Sequence, residues 1–142
     1  MVQQEYRILI IEDDVDIRQA LALFLSGEGY CVCEACDGRQ GLTLLESELL
    51  NLPKLILLDL FMPVMNGEEF LNHLKGHVVP ELASIPVVVV SAASLQDETV
   101  QMIKGRVQGF LRKPVNLDMF LECIERYCPK TFEGNTAVAY SS

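Results

Sequence analysis

Four apolar residues, Leu55 to Leu58, run without interruption into an acid, Asp59. A short unbroken apolar run reads as a strand buried on both faces, as in a parallel sheet covered by helices. The acid then falls at the strand's carboxyl end, where open α/β sheets place their ligands. Met62-Pro63 and Asn66-Gly67 mark the loop that follows, and Asn66 is placed to cap a helix starting near Gly67. On this stretch alone, Asp59 is as well read as a plain strand terminator as it is a reactive group. The rest of the chain decides.

Arg7 to Ile11 is a second buried-strand run, and it ends in Glu12-Asp13-Asp14. Ile17, Ala20, Leu21, Phe24 and Leu25 follow at helical spacing, as one face turned to a core, with Gly27 and Gly29 as the stop. Tyr30 to Ala35 reads as a short strand. Leu42, Leu45 and Leu49 predict a second helix that ends before Pro53. A third carries Phe70, Leu71 and Leu74, and His77 to Ile85, with Pro80, reads as a loop. Pro86 to Val90 is the plainest strand and runs into Ser91. Asp97 to about Lys104 predicts a fourth helix, and Gln108 to Arg112 a fifth strand entering Lys113-Pro114. Leu117, Phe120, Leu121, Ile124 and Cys128 mark the last helix, closed by Pro129.

Five strand–helix alternations in 142 residues argue for one α/β domain. The expected fold is a doubly wound five-stranded parallel sheet with right-handed crossovers and strand order 2-1-3-4-5. That order sets the first and third strands side by side, so Glu12, Asp13 and Asp59 converge. Ser91 and Lys113, at the ends of the fourth and fifth strands, reach the same rim.

Eleven basic against twenty acidic residues give a net charge of −9. With no basic run to override that field, direct nucleic-acid binding is not expected. No apolar run is long enough to span a membrane, and the amino terminus lacks a signal-peptide pattern, so a cytoplasmic protein is expected. Cys31, Cys33, Cys36, Cys123 and Cys128 are then read as reduced, partly buried thiols. Cys33 and Cys36 have redox spacing, but lack the Pro or Gly that usually tightens such a motif. His73 and His77 are four apart with Gly76 between them and no evident third ligand, which argues against a zinc site.

Three carboxylates in one crevice repel each other by about 4 kcal/mol per pair at roughly 4 Å and an effective dielectric near 20. A hard divalent cation offsets that repulsion, and Mg²⁺ accepts a few carboxylates, a carbonyl and several waters. Lys113 adds a further positive charge. A metal, an ammonium and a hydroxyl together suit a phosphoryl group, and Asp59 as nucleophile would carry it as an aspartyl phosphate.

These residues resemble the receiver domain of two-component response regulators, of the stand-alone, chemotaxis-regulator-like type. The resemblance lies in Ile8 to Asp14, Leu57 to Gly67, Val90-Ser-Ala92 and Phe110 to Pro114, and covers about residues 5 to 128. It implies a flavodoxin-like receiver fold over residues 1–128, with 129–142 a flexible tail and no output domain. It implies that Asp59 accepts phosphate from a sensor histidine kinase or histidine phosphotransfer protein. Asp13, Asp59 and the Phe61 backbone carbonyl would bind Mg²⁺ directly, with Glu12 acting through water. Lys113 would pair with the phosphoryl oxygens, its bond to Pro114 being cis. Ser91 would move onto the phosphate, and Phe110 would be the aromatic switch that turns inward with it. Asp14 matches no obligatory role and reads as a helix cap or solvated acid.

The resemblance further implies no enzymatic activity beyond the chain's own phosphotransfer and autodephosphorylation. It also implies signalling by docking a protein target, or a second copy of the chain, on the face of the fourth helix, fifth strand and fifth helix. The chain departs from the family in Lys104 to Gly109, which lacks the frequent Ala-Gly-Ala, and in Phe110, where Tyr is frequent. A haloacid-dehalogenase-type phosphatase would need a second acid where Phe61 stands. A flavodoxin-type cofactor site would need a neutral loop where Glu12-Asp13-Asp14 stands. The remaining alternative is a pseudo-receiver that takes no phosphate and serves as an interaction scaffold.

Overall fold

The computed structural model describes residues 6–130. Five strands, β1 (Arg7–Ile11), β2 (Cys31–Ala35), β3 (Leu55–Leu58), β4 (Val87–Ser91) and β5 (Gly109–Arg112), form one parallel sheet in the order β2-β1-β3-β4-β5. The helices are α1 (Val15–Gly27), α2 (Gly38–Ser47), α3 (Gly67–Lys75), α4 (Pro80–Ala83), α5 (Glu98–Ile103) and α6 (Leu117–Tyr127), with a 3₁₀ turn at Lys104–Arg106 after α5. None is long and apolar enough to cross a membrane.

Alternate strand residues feed two cores. Leu9, Ile11, Ile56, Leu58, Val87 and Val89 pack with Leu42 and Leu45 of α2, Phe70, Leu71 and Leu74 of α3, and Val100 and Ile103 of α5. Ile8, Ile10, Leu55, Leu57, Val88 and Val90 pack with Leu21, Ala22 and Leu25 of α1 and with Phe120 and Ile124 of α6. Because both sheet faces are covered, the central strands are apolar at successive positions, Arg7 and Ser91 at their ends excepted, rather than at alternate ones.

Asp or Asn side chains cap the starts of five helices. Asp14, Asp37, Asn66, Asp97 and Asn116 accept from the backbone N–H of Ile17, Gln40, Glu69, Thr99 and Met119. Asn66 and Glu69 complete a reciprocal capping box, and Gly76 ends that helix. Asp14 is thus a helix cap, as one of its two expected roles had it.

Several expectations need correction. Pro80–Ala83 is a helical turn rather than loop, with Pro80 in the first turn and Leu82 fully buried. α2 stops at Ser47, so Leu49 lies beyond it and is exposed. On α1 the buried alanine is Ala22 and Ala20 is exposed, and on α6 Leu117 is exposed. Cys128 follows the end of α6, but its side chain is buried with that helix's core. The expectation of a loose tail over 129–142 falls, from residue 131 on, outside the described residues.

Candidate functional site

Glu12 and Asp59 are the first residues past β1 and β3, which are paired with Ile11 opposite Leu58. A hydrogen bond from the Asp59 N–H to the Ile11 carbonyl, 3.0 Å, carries the pairing one residue further. Parallel neighbours in register therefore deliver both side chains to one spot. Asp13 joins them, and carboxylate oxygens of the three acids lie within 4.8 Å of one another. Among the described residues, they are the one group of three or more metal-ligand side chains placed closely enough to hold an ion.

β5 supplies the counter-charge. The Lys113 N–H donates to the Ser91 carbonyl at 2.9 Å, extending the β4–β5 ladder, and the Lys113–Pro114 peptide is cis, as expected. The Lys113 ammonium donates to Glu12 Oε1 at 2.6 Å and more weakly to Asp59 Oδ2 at 3.5 Å. Asp59 Oδ1 accepts from the Leu60 N–H at 2.8 Å, and Glu12 Oε2 from the Asp14 N–H at 3.1 Å. Glu12 and Asp59 are buried, at 3% and 6% exposure.

One ammonium against three carboxylates leaves the crevice negative. Burial pushes the Glu12 carboxyl above its ordinary range, the Asp59 charge adds to this, and the Lys113 bond only partly opposes it. Burial alone would lower Lys113, but its bond to Glu12 and the charges of Asp59 and Glu12 outweigh that and hold the ammonium above its ordinary range. Lys113 therefore stays cationic through neutral pH. Hard oxygen donors, two of them buried and undercompensated, fit a small divalent cation such as Mg²⁺.

Ser91, at the end of β4, is fully buried, and its Oγ accepts a long bond, 3.3 Å, from the Ala93 N–H. Phe110, on β5, is half-buried against the core and lines two clefts. One, of about 230 Å³, is lined by Leu95, Gln96, Phe110 and Arg112, and the other, of about 280 Å³, includes Val100, Ile103, Lys104 and Val107. Phe61 lies two residues past Asp59 with its ring exposed. The loop it opens is tightly tied: the Gly67 N–H donates to the Leu60 carbonyl, and a Cβ on Gly67 would lie 2.5 Å from the Asp59 carbonyl. Only glycine lets α3 begin so close to the acid.

Two features of this site were not read from the sequence. Val64, in the loop, has φ +68°, and Arg18 of α1 bonds the Glu12 carbonyl. The available signal for Arg18 was a lone cation one helical turn after an acid run. The other motif candidates lie apart from the site. No disulfide joins the cysteines: Cys33 accepts from Arg7 Nη1, and Cys36 donates to Asp37. His77 pairs with Glu46 at 2.9 Å and accepts from the Val79 N–H.

Comparison with known proteins agrees with this geometry. The family model of the response regulator receiver domain matches residues 8–125. An uncharacterized 14.6 kDa protein from the sodA1 3' region of Leptolyngbya boryana is 30% identical over 121 residues, covering 85% of this chain and 88% of that protein. The alkaline phosphatase synthesis transcriptional regulatory protein SphR of Synechococcus elongatus is 32% identical over 114 residues, or 76% of this chain, which spans only 43% of its length. The solved structure of the chemotaxis response regulator CheY4 of Vibrio cholerae superposes with a TM-score of 0.75 at 27% identity, covering 87% of this chain and 98% of that one.

Proposed function

The chain belongs to the response regulator receiver domain family, and from that premise we propose that it accepts a phosphoryl group on Asp59 and signals through phosphorylation-dependent docking. The observation that carries this reading is the buried Asp59 carboxylate, set beside two further acids and within reach of the Lys113 ammonium. In the transfer, an Asp59 carboxylate oxygen forms the new bond to phosphorus. The bond from phosphorus to the donor histidine nitrogen breaks, and that nitrogen keeps the electron pair. A histidine kinase or histidine phosphotransfer protein would be the donor.

Asp13 and Asp59, with the Phe61 carbonyl, would hold Mg²⁺, and Glu12 would act through water. When bound, the ion would supply charge neutralisation at the phosphoryl oxygens. Lys113 pairs with one of those oxygens, exchanging its bond to Glu12 for one to phosphate. Ser91 turns from the Ala93 N–H to donate to another. The chemistry stays on the chain itself, as its own phosphotransfer and dephosphorylation.

Readout would use the face of α5, β5 and α6. Lys104, Arg106 and Arg112 lie between Glu98 of α5 and Asp118 of α6 with no acid among them, in a chain of net charge −9. Met102 of α5 and Leu117 and Met119 of α6 are exposed. Cationic and apolar groups together suit an acidic protein segment with apolar anchors, or the acidic surface of a second copy.

The test is to incubate the chain with Mg²⁺ and acetyl phosphate and weigh it intact. We expect a gain of one phosphate that is labile in base and absent from Asp59→Asn. A base-stable adduct, or one that survives in Asp59→Asn, would overturn the assignment.

A further inference from the structure

We propose that Arg18 is a positioning residue for the cation site, holding the end of β1 so that the carboxylates of Glu12 and Asp13 face Asp59. The inference rests on reading the acid cluster as a Mg²⁺ site. From the second turn of α1, the Arg18 guanidinium reaches back across the β1–α1 turn. Its Nη1 donates to the Glu12 carbonyl at 2.8 Å and its Nε to Glu34 Oε1 on β2 at 3.0 Å. The Arg18 side chain is only 14% exposed.

Glu12 is thereby fixed on every side. Its N–H donates to the Ala35 carbonyl on β2 at 3.0 Å, its carbonyl accepts from Arg18, and its carboxylate is held by Lys113 and the Asp14 N–H. Asp13, the exposed member of the cluster, is placed by the backbone on either side of it. The Glu12 carbonyl belongs to the peptide that leads into Asp13, and Asp14 is anchored by capping α1. Fixing that carbonyl therefore aims the Asp13 carboxylate.

A guanidinium so near a cation site would, as a bare charge, weaken cation binding. Pairing with Glu34 offsets part of that charge, and the fork acts through geometry. Positioning and charge thus predict opposite signs. If Arg18 positions, its loss weakens Mg²⁺ binding; if it is only a neighbouring charge, its loss tightens binding. A role confined to folding would lower the unfolding temperature and leave the affinity where it was.

The experiment is a calorimetric Mg²⁺ titration of the full chain, Arg18→Ala, Arg18→Lys and Asp13→Ala, each first checked for cooperative thermal unfolding. Groups that orient metal ligands typically change affinity by about 10- to 100-fold. We expect Arg18→Ala to lose roughly tenfold, the lower end of that range. Arg18→Lys should lose as much, because an ammonium keeps the charge but not the fork. Unchanged or tighter binding in either folded Arg18 variant overturns the proposal. If Arg18→Ala does not fold, the lysine variant, which keeps charge and stem, decides alone. Parent binding that is lost in Asp13→Ala but intact in the Arg18 variants removes the Arg18 role and leaves the cation site standing. A parent that takes up no Mg²⁺ overturns both.

Discussion

Val64 occupies the left-handed region at φ +68°, where a β-branched side chain crowds its own backbone. The Met65 N–H donates to the Pro63 carbonyl at 2.7 Å around it, which makes a three-residue turn of the strained kind. The side chain is 75% exposed and so returns little burial energy. Val64→Gly should therefore raise stability by about 0.5–1.5 kcal/mol, the relief of strain exceeding the added freedom of the unfolded chain. Urea unfolding checks this, and a loss of stability would mean that the valine makes a contact worth more than its strain. At the far edge of the sheet, Tyr30 is buried and donates to the Cys128 carbonyl at 3.1 Å. Burial first, then the charges of Cys128, Glu125 and Glu28, push its phenol up to about 12 from 10.0. The fold thus favours the protonated phenol. The associated stability is fully present below pH 10 and is lost as pH rises through about 12. At its limit this amounts to roughly 2–3 kcal/mol. One of the four tyrosines should ionise late in a 295 nm titration and vanish from the late phase in Tyr30→Phe. That variant should lose about 1 kcal/mol at pH 7, with a flatter decline above pH 10.

Two glycines govern how α2 docks. A Cβ on Gly41 would meet Ile11 Cδ1 at 2.6 Å, a side-chain end in the buried core rather than backbone, and against that clash alanine gains about 1 kcal/mol in helix propensity. A Cβ on Gly38 would meet both Met65 Cγ and the Met65 carbonyl at 2.9 Å, and that backbone cannot swing aside. Gly38→Ala should therefore destabilise by about 1–3 kcal/mol, more than Gly41→Ala. It should also slow phosphorylation, because Met65 belongs to the loop that follows Asp59. Equal stability of the two variants in thermal unfolding would contradict this ranking. Such contacts lie beyond a sequence reading, whereas the strands were legible in it. Unbroken runs such as Leu55–Leu58 and Val87–Val90 need cover on both faces, and their parallel pairing followed from the alternation with helices. α1 was read with the wrong alanine because Ala20 to Leu25 is apolar almost all round, which leaves its face poorly specified. α4 was missed because Pro80 was taken as a breaker, although proline is compatible with a first helical turn.

Across the molecule, Glu12, Asp13, Asp59 and Lys113 were legible because strand ends in a parallel sheet share one edge. Arg18 was not, since its partners are a carbonyl and a residue on another strand. The proposed link from that edge to the proposed docking face is the step from Ser91 to Phe110. Val89 of β4 stands opposite Phe110 of β5, so ring and hydroxyl lie on adjoining strands two residues apart in register. Phosphate at Asp59 would draw the Ser91 hydroxyl from its long bond to Ala93, and the half-buried Phe110 lines two neighbouring clefts. Completing the burial of a phenylalanine contributes at most about 1.5–3 kcal/mol. That corresponds to a shift of roughly ten- to a hundredfold between two states, enough to move a minor conformer to a major one. We therefore expect phosphorylation to change hydrogen exchange across residues 98–112 in the parent. Phe110→Ala should still gain phosphate on Asp59 but leave exchange in that segment unaltered. A phosphorylated Phe110→Ala whose α5 and β5 respond as the parent's do would remove Phe110 from the switch and leave the transmission to the backbone between Ser91 and Asp97.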